Sequence, residues 1–192
     1  EQLVAYIRKD NYCQEAFESL MHNFEYADIV NFEFKEIKQI NWNEAWEKHY
    51  FEPILIDDIC LIHSSFHTNL QDAKYAIVID PKMSFGTGHH ETTSLMIAEM
   101  LKLDFSGKTV LDMGCGTSVL AILAAKKGAN SIIAIDIDSW CVENSIENIQ
   151  KNNVSHIQVK QGDAGLLKGN HFDVILANIN RNILLQDIQQ YA

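Results

Sequence analysis

The stretch that decides the fold is Thr-Val-Leu-Asp-Met-Gly-Cys-Gly at residues 109–116, followed by Ile-Ile-Ala-Ile-Asp-Ile-Asp at residues 132–138. An apolar run leads into a glycine-rich turn, a helix-like segment follows, and a second apolar run ends in carboxylates. This pattern is typical of the nucleoside-binding corner of a doubly wound α/β sheet, where ligands lie beyond the carboxyl ends of parallel strands. We therefore expect a nucleoside-containing ligand at this corner.

Strand and helix patterns alternate on both sides of this corner. Parallel strands need helical crossovers, whose handedness places helices on both faces of the sheet, so the predicted fold class is α/β, doubly wound and Rossmann-like. Because only four parallel strands are visible before the chain ends, we expect the end of this domain to be missing. The predicted strands are Thr109–Leu111, Ser131–Ile135, Ile157–Lys160 and Phe172–Ala177, and the predicted helices are Val119–Lys127 and Ser139–Asn152.

The sequence predicts three segments: a small, incomplete α+β domain at residues 1–38, a linker at 39–60, and the sheet domain at 61–192. The linker carries Trp42 and Trp46, which would share one face of a short helix and which favour packing between domains. The further expected elements are the strands Leu3–Ile7, Ile29–Ile37, Ile54–Ile56, Cys60–His63 and Ala76–Ile79, the helices Gln14–Asn23 and Thr92–Leu103, and the loop Phe85–His90.

Composition excludes several classes of protein. The net charge is −11, with no basic cluster of the kind that tight nucleic-acid binding requires. An acidic surface suits a basic protein partner, and it is equally typical of an ordinary acidic cytosolic protein. No run approaches the ~20 apolar residues of a membrane span. The four cysteines are scattered, with no Cys-x-x-Cys pair, which favours a reducing, cytoplasmic setting.

The glycine turn separates two kinds of nucleoside cofactor. A dinucleotide fingerprint has a third glycine where this chain has Val119, which weakens that interpretation. The Asp-x-Gly-x-Gly-x-Gly signature of S-adenosylmethionine enzymes is matched at Asp112, Gly114 and Gly116, while Ser118 replaces the last glycine. Serine is small enough to be tolerated here, although it does not easily adopt a glycine-only backbone angle.

Two carboxylates follow the second and third strands of the sheet. Asp136 ends the second strand, where a carboxylate can accept hydrogen bonds from both ribose hydroxyls. Asp163 follows the third strand and either contacts the adenine or serves as a turn residue, and both interpretations stay open.

Asn178 follows the fourth predicted strand, within Ala177–Asn180. Enzymes that methylate planar nitrogens commonly carry prolines and an aromatic residue after this position, and both are absent here. An asparagine can orient a tetrahedral amine through its carbonyl oxygen, which makes Asn178 the candidate catalytic residue. The structural alternative is that Asn178 caps the next helix.

The neighbouring His89 and His90 have three candidate roles: metal ligands, a general base, or structural residues of the loop. As a metal pair they lack suitable spacing and further ligands, so no metal site is predicted. A role as general base is possible in principle, but a structural role in the loop at the mouth of the site is favoured. Cys115 is either a reactive thiol beside a helix N-terminus or a small residue that fits the turn.

The chain resembles the bacterial PrmA family, which methylates large-subunit ribosomal protein eleven. The specific part of the resemblance is Phe-Gly-Thr-Gly-His-His-Glu-Thr-Thr at residues 85–93, and the resemblance spans about residues 40–192. It implies a class I methyltransferase that uses S-adenosylmethionine, with Thr93, Gly114, Asp136 and Asn178 in contact with the cofactor. It also implies that the unit at 1–38 recognises the ribosomal protein.

The expected reaction transfers methyl groups to lysine side chains or the N-terminal amine of that ribosomal protein. Two alternatives stay open: a methyltransferase acting on RNA or a small molecule, and a nucleotide-binding module without catalysis. The modified amines, the oligomeric state and the activity of this stretch of chain are not determined by the sequence.

Overall fold

The structure is a computed structural model, and it describes residues 12–25, 52–80, 82 and 84–191. The chain divides into two compact units, Glu1–Ile40 and Asn41–Ala192. In the first unit the helix α1 spans Gln14–His22, as expected. The predicted strands Leu3–Ile7 and Ile29–Ile37 lie outside the described residues, as do Trp42 and Trp46, and the predicted domain boundaries stay predictions.

The described part of the second unit contains seven strands, four α-helices and a short 3-10 helix. They follow the expected order, and most ends lie within two residues of the predicted ones. The strands are β1 (Ile54–Ile56), β2 (Cys60–His63), β3 (Tyr75–Val78), β4 (Thr109–Met113), β5 (Ser131–Asp136), β6 (Ile157–Gln161) and β7 (Val174–Leu176). The helices are α2 (Glu91–Lys102), α3 (Val119–Lys126), α4 (Ser139–Lys151) and α5 (Arg181–Tyr191), with the 3-10 helix at Ala164–Leu167.

Strands β4 to β7 form one parallel sheet in the order β6-β5-β4-β7. The chain moves outward from β4 through β5 to β6 and then returns to place β7 on the other side of β4. This reversal is the topological switch point of a doubly wound sheet, and it opens a crevice at the carboxyl ends of β4 and β7. The predicted fold class is confirmed.

Strands β1 to β3 form a second sheet, in which β1 and β2 are antiparallel and β2 and β3 are parallel. The turn between β1 and β2 has positive φ at both central residues, 51° at Asp57 and 56° at Asp58. Aspartate is one of the few residue types that tolerate this conformation, which explains the Asp-Asp pair in the sequence.

Helix α3 lies in the core of the second unit. Its sequence, Val-Leu-Ala-Ile-Leu-Ala-Ala-Lys, is apolar on every side except at its end, and Val119–Ala125 are all buried. A helix that is apolar all round belongs in a core. The same core contains Ile56, Cys60 and Ile62 from the smaller sheet and Val110 and Ile132 from the larger one. In the described part of the chain, no helix has both the length and the apolar character needed to cross a membrane.

Candidate active site

A pocket opens at the switch point, between the carboxyl ends of β4 and β7 and the start of α3. It brings together three of the predicted site residues, Thr93, Gly114 and Asn178, which come from different parts of the sequence. The complete lining is Phe85, Gly86, Thr93, Asp112, Gly114, Cys115, Val119, Leu120 and Asn178.

The turn after β4 is tightly packed and depends on its glycines. Gly114 and Gly116 have φ of +70° and +53°, in the left-handed region that favours glycine. A Cβ on Gly116 would lie 2.2 Å from the carbonyl oxygen of Phe85, and one on Gly114 would lie 2.2 Å from Cγ2 of Ile179. A side chain at either position would therefore be strained and would collide with these atoms, and at Gly114 the backbone itself lines the pocket.

Asp136 is held in a fixed orientation at the end of β5. Its side chain is 8% exposed, its Oδ2 accepts a hydrogen bond from the Gly116 amide at 2.8 Å, and its Oδ1 accepts one from the Asp138 amide at 3.1 Å. A carboxylate has about four lone-pair sites, so two acceptor positions remain after these bonds. These two remaining acceptor positions therefore fit a ribose with two neighbouring hydroxyls.

Asp112 lies beneath the pocket and is 1% exposed. Burial raises its pKa to about 7; the Ala121 amide, which donates to Oδ2 at 3.0 Å, lowers the pKa in part, and the negative charge of Asp136 raises it. Asp112 belongs to the signature, but the residue pattern by itself does not indicate that its pKa is raised. Its cause is the tertiary burial of the β4 carboxyl end.

The loop at 84–90 is fastened onto the glycine turn. The Thr117 amide donates to the Phe85 carbonyl at 2.9 Å, and the Thr117 hydroxyl donates to the Gly86 carbonyl at 2.6 Å. Phe85 remains 53% exposed at the rim of the pocket, and its ring meets that of His90 edge to face at 5.1 Å. The Phe-Gly-Thr-Gly block and the glycine turn are thus hydrogen-bonded to each other, and residues of both line one wall of the pocket.

Asn178 is oriented by a side chain from α2. Its Nδ2 donates to Oγ1 of Thr93 at 3.2 Å, which leaves its carbonyl oxygen as an acceptor at the pocket. The alternative role as a helix cap falls instead to Asn180, whose Oδ1 accepts from the Asn182 amide at 2.9 Å at the start of α5. The two asparagines after β7 therefore have separate positions and separate partners.

Ser118 adopts the left-handed backbone conformation, with φ of +62°, although serine does not enter it easily. The strain is offset because its hydroxyl is fully buried and donates to Oγ of Ser145 at 2.8 Å. The replacement of the last glycine in the signature leaves the turn intact.

Asp163 caps the 3-10 helix, where its Oδ1 accepts from the Gly165 amide at 2.8 Å. The turn role is therefore present, and contact with an adenine stays a prediction. His90 caps α2, because its Nδ1 accepts from the Thr92 amide at 3.3 Å. This supports the structural role that the sequence favoured for the loop histidines.

Cys115 is 6% exposed, and burial raises the pKa of its thiol to about 12, so the thiol stays protonated. Of the two interpretations of this cysteine, a small residue that fits the turn is the one supported.

Within the described segments, one group of possible metal ligands lies close together: Asp136, Asp138 and Cys141, with their ligand atoms within 4.8 Å. Burial raises the pKa of the Cys141 thiol, which disfavours the thiolate that a metal would need. The absence of a metal site stays a prediction.

The parallel sheet with its switch point, the glycine turn and the carboxylate after β5 define a class I methyltransferase that depends on S-adenosylmethionine. Val119 contributes to this assignment, since its side chain stands where a dinucleotide fold needs a glycine and it lines the pocket.

Comparison with known proteins identifies the family. The sequence profile described as ribosomal protein L11 methyltransferase (PrmA) matches residues 1–192, so the chain belongs to this family. The ribosomal protein L11 methyltransferase of Bacteroides fragilis is 54% identical over 192 residues, which cover 99% of this chain and 69% of the relative. That of Phocaeicola vulgatus is 55% identical over 190 residues, which cover 98% and 68%.

A crystal structure of ribosomal protein L11 methylase from Lactobacillus delbrueckii subsp. bulgaricus has the same fold. It superposes with a TM-score of 0.65 at 30% identity, and the match covers 73% of each chain.

Proposed function

We propose that the pocket binds S-adenosylmethionine and that Asn178 positions the amine that receives the methyl group. The observation that carries the proposal is that two side chains are held in fixed orientations after β5 and β7, on either side of β4. Asp136 is fixed by the Gly116 amide on one side, and Asn178 is fixed by Thr93 on the other. In this proposal Gly114, Gly116, Thr93, Asp136, Asp163 and Asn178 contact the cofactor.

S-adenosylmethionine supplies an electrophilic methyl group on a positively charged sulfur. The chain positions the reactants. The cofactor lies against the backbone of the glycine turn, and Asp136 accepts hydrogen bonds from the ribose hydroxyls. The carbonyl oxygen of Asn178 accepts a hydrogen bond from the attacking amine. A fixed acceptor aligns the lone pair of the nitrogen with the methyl group, and such alignment accounts for a large share of the rate.

The amine must lose its proton before it attacks, since an unperturbed lysine has a pKa of about 10.4 and an α-amine about 8. Removal from water and the nearby positive charge both lower the pKa of an amine, so no strong protein base is required. Asn178 cannot itself take the proton. Its role is to bind the neutral nitrogen in the reactive orientation.

The substrate we propose is ribosomal protein L11, methylated on lysine side chains, its N-terminal amine or both. The names of the relatives point to this protein, and the chain's net charge of −11 suits a basic partner. We infer a cytoplasmic location, which agrees with four free cysteines. Tight nucleic-acid binding and membrane attachment are not part of the proposal.

Cofactor binding is tested by calorimetric titration of S-adenosylmethionine into the wild type and the Asp136→Ala variant. We expect micromolar affinity for the wild type and at least tenfold weaker binding for the variant, because a charged hydrogen-bond acceptor is worth about 1.5–3 kcal/mol. Asp173→Ala is a matched control: it removes the same charge beside Thr109, at the opposite end of β4. Tight binding of a reduced nicotinamide dinucleotide instead would refute the proposal.

The substrate is tested by tritiated methyl transfer from S-adenosylmethionine into ribosomal extract by the full-length enzyme. We expect label in one small basic protein that co-migrates with L11. Label in RNA or in a small molecule would refute the protein substrate and favour one of the two alternatives.

A further inference from the structure

Helix α4 buries a row of polar side chains, which is unusual because such residues are mostly exposed. Asn144, Ser145 and Asn148 are 0% exposed and Asn152 is 7% exposed. Buried polar groups need partners, and each of these four residues, of which Asn152 directly follows α4, makes at least one hydrogen bond to the backbone of two neighbouring segments. Oδ1 of Asn144 has no partner among the described residues. Asn144 and Asn152 bond to Asp80 and Val78, at and just after the end of β3, and Ser145 bonds to the glycine turn. Asn148 bonds to both, since its Oδ1 accepts from the Asp80 amide at 3.0 Å and its Nδ2 donates to the Thr117 carbonyl at 3.2 Å.

The part directed at β3 is structural. Asn152 donates to the Val78 carbonyl at 2.7 Å and accepts from the Val78 amide at 2.9 Å, as a neighbouring strand would. Asn144 donates to the Asp80 carbonyl at 2.9 Å. Neither residue bonds to the glycine turn.

Ser145 is the centre of the other part. Its hydroxyl donates to the Gly116 carbonyl at 2.8 Å and accepts from the Ser118 hydroxyl at 2.8 Å, while Sγ of Cys115 lies 3.4 Å away. The Gly116 amide, in the same residue, donates to Oδ2 of Asp136. Gly116 is therefore held from both sides, by Ser145 through its carbonyl and by Asp136 through its amide.

Ser118 explains why the turn needs this support. It has φ of +62° at the position where the signature of S-adenosylmethionine enzymes has its last glycine. A side chain with a Cβ is strained there, and the left-handed conformation persists when the surroundings fix it. The hydroxyl pair of Ser118 and Ser145 supplies such fixation inside the core.

We propose that Ser145 is a positioning residue for the cofactor and that, together with Ser118, it replaces the missing glycine of the turn. Ser145 acts through Gly116: it holds the peptide that aims Asp136 at the ribose. This inference rests on the proposed function, since it assigns Ser145 a role in binding S-adenosylmethionine. It adds a residue outside the signature, on a helix that does not line the pocket.

The first test compares Ser145→Ala with Asn152→Ala. Both variants remove a buried polar side chain, Ser145 from α4 and Asn152 from the position directly after it, but of the two only Ser145 contacts the turn. We expect Ser145→Ala to weaken binding of S-adenosylmethionine about tenfold, the equivalent of one lost hydrogen bond in a buried network, and to raise KM for it with kcat within twofold. Asn152→Ala lowers the melting temperature but keeps the wild-type affinity.

The second test uses Ser118, so that it stands even if Ser145→Ala fails to fold. Ser118→Ala loses the hydroxyl and keeps the strained Cβ, whereas Ser118→Gly loses both. We expect Ser118→Gly to bind at least threefold more tightly than Ser118→Ala. In the Ser145→Ala background, Ser118→Gly restores part of the lost affinity, because it removes the unpaired hydroxyl and relaxes the turn.

The outcomes separate this inference from the proposed function. Wild-type affinity in Ser145→Ala, with a stability loss equal to that of Asn152→Ala, overturns the positioning role and leaves the proposed function standing. Equal affinities of Ser118→Gly and Ser118→Ala overturn the replacement of the glycine. A wild type that does not bind S-adenosylmethionine overturns the proposed function and this inference with it.

Discussion

The carboxyl ends of β4 and β7 lie side by side in the sheet, yet they are built in opposite ways. After β4, the turn is buried, its glycines exclude any side chain, and backbone amides and carbonyls carry the contacts. After β7, Ala177–Asn178 is partly exposed, and the contacts come from the Asn178 side chain. One edge of the pocket is made of backbone and the other of a side chain.

The difference indicates that the two edges of the pocket have separate roles. A backbone wall tolerates little change, because a Cβ added at Gly114 or Gly116 would lie 2.2 Å from a neighbouring atom. In the proposed function this wall binds the cofactor. A side chain can change without altering the chain path, so a substitution after β7 can change the chemistry and keep the fold. Four predictions test this comparison, beginning with the largest effect.

The largest effect is expected for Gly116→Ala. The new Cβ would lie 2.2 Å from the Phe85 carbonyl oxygen at φ of +53°, so the turn or the loop at 84–90 must move. We expect S-adenosylmethionine to bind more than about 100-fold less tightly, a loss of about 3 kcal/mol, measured by calorimetry. Gly107→Ala is the matched control, since Gly107 has φ of +71° but nothing within 4 Å.

The Gly107 control separates strain from collision. The left-handed conformation costs a residue with a Cβ about 1–2 kcal/mol, so we expect Gly107→Ala to lower stability by that amount and to keep the wild-type affinity. Equal loss of affinity in both variants would contradict the idea that contact with Phe85 makes the turn intolerant.

The second prediction concerns the edge of the pocket after β7. Asn178→Ala removes the proposed acceptor for the amine, and we expect kcat to fall about 100-fold with a smaller rise in KM for S-adenosylmethionine, in line with the loss of one oriented polar group at a reaction centre. Steady-state kinetics with L11 as substrate measures this. A change in KM alone would show that Asn178 binds the cofactor and does not position the amine.

The third prediction concerns pH and the buried carboxyl after β4. Since burial raises the pKa of Asp112 from an ordinary 3.8 to about 7, the folded protein binds more protons than the unfolded chain between these values. The free energy of unfolding should therefore fall as pH rises from about 4 to about 7 and level off above that. Asp112→Asn removes this contribution, so its gain in stability over the wild type should be larger at pH 8 than at pH 5.

Asp80 does not obscure this measurement. Although burial acts to raise its pKa, hydrogen bonds from Lys151, Ser64 and Ser65 outweigh burial and hold the pKa well below its ordinary value. Its stabilising contribution is present above about pH 4 and is lost only below it. The difference in the free energy of unfolding between the wild type and Asp112→Asn, measured by denaturant titration at pH 5 to 8, therefore reports on Asp112, and a difference that does not change with pH would contradict its raised pKa.

The smallest effect is expected for Asn180→Ala, two residues after Asn178. Asn180 caps α5 through the Asn182 amide, and the loss of such a cap costs about 1 kcal/mol of stability. We expect a lower melting temperature and kcat within twofold of the wild type. A large fall in kcat would show that the two asparagines after β7 do not have separate roles.

Much of the fold could be predicted from residue patterns. The strands from Thr109, Ser131 and Ile157 begin where periodicity placed them, because buried parallel strands are continuous apolar runs between glycine and asparagine turns. The strand predicted at Phe172–Ala177 is shorter, at Val174–Leu176, since β4 pairs with it only from Val110 to Asp112. Pairing length depends on the partner strand, which local sequence does not contain.

Residue patterns predicted only part of the candidate site. Gly114 and Asp136 belong to a local signature, and Thr93 and Asn178 entered through resemblance to the family. The contact of Thr93 with Asn178 joins residues 85 positions apart, and the support of the turn by Ser145 comes from a helix that follows the motif. No periodicity or local spacing could have indicated either contact.

The sequence by itself determined the alternation of strands and helices, the glycines of the turn and the carboxylate after β5, because these depend on backbone conformation and on apolar burial within short windows. The tertiary structure alone decided which distant groups meet: Phe85 against Gly116, Asn178 against Thr93 and Ser145 against Ser118. These contacts join segments that the chain brings together only when the sheet and its helices pack, and they set the orientation of the groups at the pocket and the pKa of Asp112.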